Sequence, residues 1–169
     1  MKHRWLVYLA VGTLFGVVDF VYLGFLYPAP SGQSLAYSPA GTVGSLLRFL
    51  VLNVGVWLVP VVPLALYESR VSRSRLHPAA VGLAVWCAAI VAYYLTNAAQ
   101  LAFWGLPTRP ELHISNAGSE YFWENWANVL QGDILGGIME WLIVAVVGGA
   151  MVGLLTGSIY LRFNKAPDM

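Results

Sequence analysis

Apolar residues run in four long blocks, at about 5–27, 43–67, 79–104 and 134–161, with polar residues gathered between them. Each block is long enough for the ~20 helical residues that cross ~30 Å of hydrocarbon. None shows the period-two alternation of a membrane barrel strand. Backbone groups in lipid must be satisfied within their own segment, so each block predicts a helix. The expected fold is an all-α integral membrane protein, a four-transmembrane-helix bundle forming a single membrane domain over 1–169. The first block follows Lys2, His3 and Arg4 and is longer than the ~7–15 apolar residues of a signal peptide. It reads as an uncleaved span, in preference to a leader cut near Ala36.

The connections carry the orientation. Lys2 and Arg4 precede the first block, Arg70, Arg73 and Arg75 lie between the second and third, and Arg162 and Lys165 follow the fourth. The other two connections, 28–42 and 105–133, hold only Arg109. Basic residues accumulate in cytoplasmic loops. Both termini and the 68–78 loop are therefore expected in the cytoplasm of a cell with a plasma or bacterial inner membrane. Within the second outer loop, Phe122, Trp126 and Val129 recur at helical spacing, while Glu120, Glu124, Asn128 and Gln131 take the other side. This pattern predicts a short amphipathic interfacial helix over about 119–131, capped by Ser119. Its polar side is acidic, so apolar burial has to hold it at the membrane.

Small residues predict where helices approach closely. Ala145, Gly149, Gly153 and Gly157 stand four apart in the last block. Ala80, Ala84, Ala88, Ala92 and Thr96 do so in the third, and Gly12 and Gly16 in the first. Such seams admit a neighbouring backbone. Packing inside one bundle is the plainer reading; contact with another subunit is the sharper one. Pro60 and Pro63 predict a kink in the cytoplasmic half of the second span.

Composition agrees with the pattern: 59% of residues are hydrophobic, 10% are charged, and the mean hydropathy is +0.68. Soluble domains run near ~25% charged. A net charge of +1 gives no footprint for nucleic acid. The lone Cys87 excludes an internal disulfide, a CxxC pair and a cysteine zinc site, and reads as a small packing residue. His3, His77 and His113 all lie outside the blocks, so no histidine pair is available to a haem within the bundle. His113 with Glu111, Glu120, Glu124 and Asp133 matches no metal-ligand spacing. No HExxH, glycine-rich phosphate loop or GxSxG is present. No metal, cofactor or catalytic set is implied.

Three ionisable residues fall inside the blocks: Asp19, Arg48 and Glu140. Such residues are costly in lipid and are functional candidates. Counted from the outer ends, all three sit roughly 8–12 Å deep. Asn97 and Gln100 share that level on one face of the third block, with Tyr93 a turn away and Tyr22 beside Asp19. Every block thus offers a polar group to one layer. An Asp19–Arg48 or Arg48–Glu140 pair would set helix register, and two acids against one base leave one acid over. An outward-facing intramembrane pocket of Asp19, Arg48, Asn97, Gln100 and Glu140 suits a small polar ligand or a lipid headgroup. The poor catalytic inventory favours a noncatalytic binding, assembly or accessory subunit. Its implied partners are the lipid bilayer and either another membrane subunit or a second copy of the chain. Two rivals use the same residues. A small-solute or proton transporter or channel would work through Asp19, Arg48 and Glu140. A membrane-embedded lipid-modifying enzyme would use Glu140 or Asp133 as acid or base.

Overall fold

The computed structural model describes residues 2–26, 51, 54–106 and 109–164. Over the described residues it is all-helical, with four long helices. Helix α1 is Lys2–Leu26, α2 is Leu58–Ser72 and α3 is Leu76–Trp104. Helix α4 runs over Phe122–Phe163, its α-helical parts Phe122–Val129 and Gly137–Phe163 joined through π-helical Leu130–Gly136. Three of the four, α1, α3 and α4, are long and apolar enough to cross a membrane. Helix length and hydropathy make this a small multi-pass membrane protein in contact with the lipid bilayer. Residues 43–50 of the expected second span lie outside the described residues, as do Leu52 and Asn53.

Helix α3 is the axis of the bundle. Both α1 and α4 pack along it, and α2 leans on α3 and α4, with little contact between α1 and α2. The close approach comes from glycine. A Cβ at Gly12 would meet the Val85 carbonyl oxygen at 2.5 Å, and one at Gly16 would overlap that of Ala89. On the other side, a Cβ at Gly149 would stand 2.6 Å from the Gly82 oxygen, and one at Gly153 would overlap that of Pro78. Gly157 faces the Pro78 ring and Ser69, and Ala145 is wholly buried. The small residues of α1 and α4 are thus taken up within the chain. On α3 the carbonyl oxygens they meet belong to Pro78, Gly82, Val85 and Ala89; of the expected ladder, Ala88 stands beside Gly12 and Ala92 is buried, while Ala80 is exposed. Around these contacts Tyr8, Trp57, Val61, Val81, Val85, Trp86, Ala89, Ile90 and Ala145 form the core.

In the region of the expected second span the helix is interrupted ahead of the prolines. A 3-10 turn, Gly55–Trp57, precedes α2, and Pro60 sits in the first turn of that helix. Proline lacks the N–H that would reach back four residues, and its ring crowds the carbonyl there. A continuous helix through Val56 is therefore opposed, and the interruption falls ahead of both prolines. Pro63 is carried inside α2. The helix then runs on to Ser72 and ends at Arg73 in left-handed conformation, φ 48°, its N–H donating to the Ser69 oxygen at 3.2 Å.

The separate interfacial helix expected over 119–131 is instead the start of α4. Ser119 turns back to the Asn116 oxygen, and the helix opens at Phe122 with no side-chain cap. At ~1.5 Å per residue, the 42 residues of Phe122–Phe163 make about 63 Å of helix, twice the hydrocarbon thickness. Its first apolar face finds protein to cover it: Val129 and Trp126 pack with Leu101, Leu106 and Leu112, and Phe122 is buried. Gly105, at φ 79°, lets the chain leave α3 and pass under His113, whose Cα would lie 2.9 Å from an added Cβ.

Candidate functional site

Tyr8, Gly12, Gly16 and Asp19 are spaced four, four and three apart, which puts them on one face of α1. All four are buried, because this is the face that the glycines press onto α3. Asp19 is carried inward by the same geometry and is only 2% exposed. Neither carboxyl oxygen has a hydrogen-bond partner among the described residues. It borders a cavity of about 160 Å³ whose other described walls are Leu23, Trp57, Ile90, Tyr93, Tyr94 and Trp141. Each segment adds to the wall: α1 gives Asp19 and Leu23, the 3-10 turn gives Trp57, α3 gives Ile90, Tyr93 and Tyr94, and α4 gives Trp141.

The aromatic wall is built edge to face. Trp57 meets Tyr93 with centroids 6.2 Å apart, and Tyr93 meets Tyr94 at 5.4 Å. Phe15 and Phe20 brace the set from behind, on Trp57 at 5.8 Å and on Tyr93 at 5.2 Å. Each edge-to-face pair is worth about 0.5–1.5 kcal/mol beyond its burial, which favours this arrangement of the wall. Gly137 gives the Tyr94 ring its room, since a Cβ there would meet the ring.

The layer expected to form one pocket is divided in the structure. Asp19 lines the cavity. Glu140 is exposed on the opposite side of α4, beside an apolar groove with Met139, Leu142, Ile143, Val146 and Val147. The reason is rotation about the helix. At about 100° per residue, Glu140 stands five positions before Ala145 and so points about 140° away from the packed face. Trp141, four positions before, points within about 40° of it and enters the cavity. Asn97 and Gln100 are half-buried on α3 and line neither space. Arg48, and with it either ion pair, lies outside the described residues. Asp133 is exposed in the π-helical turn. Equal depth says nothing about azimuth, and azimuth separates these groups.

Trp57, Tyr94 and Trp141 were not anticipated from sequence. A signal was present: tryptophan favours the membrane interfaces, whereas Trp57 sits near the middle of the second apolar block and Trp141 well inside the fourth. Also unanticipated is a polar cluster at the other end of α1. Tyr8 donates its hydroxyl to Glu68 Oε2 at 2.6 Å, and Arg4 Nη1 donates to the same oxygen at 3.3 Å. Glu68 is buried, on a part of α2 that its hydropathy had assigned to the loop. His113, the one loop histidine near several acids, is engaged locally, its Nδ1 2.6 Å from Ser115 Oγ. No protein-family model, curated protein or solved structure matches this chain.

Proposed function

We propose that this chain is a noncatalytic membrane protein with four spans in a single domain over 1–169, acting as a small binding, assembly or accessory subunit whose ligand site is the Asp19 cavity. One observation carries the reading: a buried carboxyl group with no hydrogen-bond partner among the described residues borders a walled space. A folded chain gains nothing by leaving such a group bare, since a buried polar atom without a hydrogen bond costs about 1–3 kcal/mol, and more when charged. In this reading the second span is α2 with the segment before it. Both termini are cytoplasmic by the distribution of Lys and Arg, in a plasma or bacterial inner membrane. Asp19, nearer the carboxyl end of α1, then belongs to the outer half of the bilayer.

The rival readings gain less support. Transport through Asp19 and Glu140 together requires the two acids to share a path, and they border separate spaces. Acid–base catalysis by Glu140 or Asp133 requires a second group within reach; both are exposed and no hydrogen bond joins either to another described side chain.

Native mass spectrometry of the protein released gently from its membrane tests the proposal. The chain is expected to carry a small molecule that Leu23→Trp, which fills the cavity, displaces. A second polypeptide at fixed ratio would identify the partner the accessory role requires. A bare chain, or a bound molecule indifferent to Leu23→Trp, would sink the assignment of the site.

A further inference from the structure

We infer that the Asp19 cavity takes a small organic monocation, an amine or quaternary ammonium, held by the carboxylate against the rings of Trp57, Tyr93, Tyr94 and Trp141. This rests on the cavity being a ligand site and names the chemistry of what enters it. A carboxylate in a low-dielectric interior needs a countercharge or a proton. A proton alone leaves the account open, because a carboxylic acid carries an O–H that must itself find an acceptor. Asp19 has no hydrogen-bond partner of either kind among the described residues. The missing partner therefore comes with the ligand.

The wall selects among positive ligands. A hard metal ion asks for six or more oxygens. The described lining of the cavity offers one carboxyl group and two phenols, and no group of three His, Cys, Asp or Glu comes together among the described residues. An alkylammonium asks for something else: one distant counter-ion and aromatic rings around a diffuse charge, since the ring quadrupole attracts a cation and needs no lone pair. Four of the seven described lining residues are aromatic, and Leu23 and Ile90 offer alkyl contact. Size gives a bound. An empty apolar cavity of ~150 Å³ holds benzene, so about 160 Å³ admits a group of about six non-hydrogen atoms. Trimethylammonium and small protonated amines fit that bound. A large multi-ring cation does not, unless much of it stays outside.

The test compares charge at constant shape. Titration calorimetry on the full chain in lipid nanodiscs would use tetramethylammonium, choline and 3,3-dimethylbutan-1-ol, the uncharged counterpart of choline. Choline is expected to bind at least about tenfold more tightly than the neutral alcohol. Asp19→Asn should abolish that preference while leaving the weak binding of the alcohol, which also shows that the variant is folded. Tyr93→Leu should weaken choline more than Tyr93→Phe does, since only the former removes the ring. If the alcohol binds as well as choline to the native chain, the cation inference is overturned while the cavity remains a ligand site. If neither binds, the inference is again overturned. In that case the adduct seen by native mass spectrometry, or its absence, decides separately whether the cavity is a site at all.

Discussion

Two buried acids sit against the same face of α1, about three turns apart, and they are solved in opposite ways. Glu68, brought in from α2, accepts hydrogen bonds from Tyr8 and Arg4 on one oxygen. Asp19, on α1 itself, meets a cavity and has no hydrogen-bond partner among the described residues. The first is a tie between α1 and α2, two helices that otherwise touch little. The second does nothing for the fold. Burial alone therefore does not mark a functional acid in this protein. The mark is burial together with an unfilled partner and space beside it, because a polar group kept at a cost to stability is kept for another reason.

The broadest way to break the comparison is to lift the face that holds both acids. Gly16→Leu drives a side chain into the Ala89 backbone and is expected to cost about 3 kcal/mol or more, with choline binding lost as well. Thermal unfolding in detergent checks this, and an unchanged melting temperature would mean that α1 does not rest on α3. Next comes Glu68→Ala, which leaves the Tyr8 hydroxyl buried without its acceptor and removes the tie to α2. A loss of about 2–3 kcal/mol is expected, with ligand binding at the Asp19 end little changed.

Asp19→Leu should go the other way. It removes a bare buried carboxyl and is expected to raise stability by about 1–2 kcal/mol while ending cation binding. A drop in melting temperature would reveal that Asp19 is a structural tie after all. The smallest effect belongs to Arg4→Ala. The Arg4 side chain is 31% exposed and its bond to Glu68 is the longer of the two, so no more than about 1 kcal/mol should be lost. A double-mutant cycle of Arg4 with Glu68 measures that coupling apart from the contribution of Tyr8.

Much of the bundle can be read along the chain, and the failures have identifiable causes. The glycine rows of α1 and α4 do mark close approach, because only the absence of a Cβ allows one backbone onto another. The alanine row of α3 marks it only in part: Ala88 stands beside Gly12 and Ala92 is buried, while Ala80 is exposed, since alanine tolerates both lipid and protein and so carries little information about which face is turned in. The interfacial helix was expected to lie on the membrane as a separate element. Its apolar stripe is real, but Leu101, Leu106 and Leu112 are close enough to cover much of it, and the helix continues through a π turn into the last span. The angle of Glu140 from Ala145, which the sequence alone gives, turns it away from the packed face where its depth does not. Glu68 has no such signal, because nothing local to 68 indicates that Tyr8 and Arg4 will reach it.

Hydropathy along the chain is sufficient to make this a multi-pass helical membrane protein, because lipid demands long apolar segments whose backbone bonds are internal. It also places Asp19 inside a span, where an acid requires an explanation. The tertiary structure alone decided which acid faces a partner and which faces a space. That outcome depends on how α1, α3 and α4 are rotated and pressed together at their glycines, and rotation is a property of the assembled helices that no single segment contains.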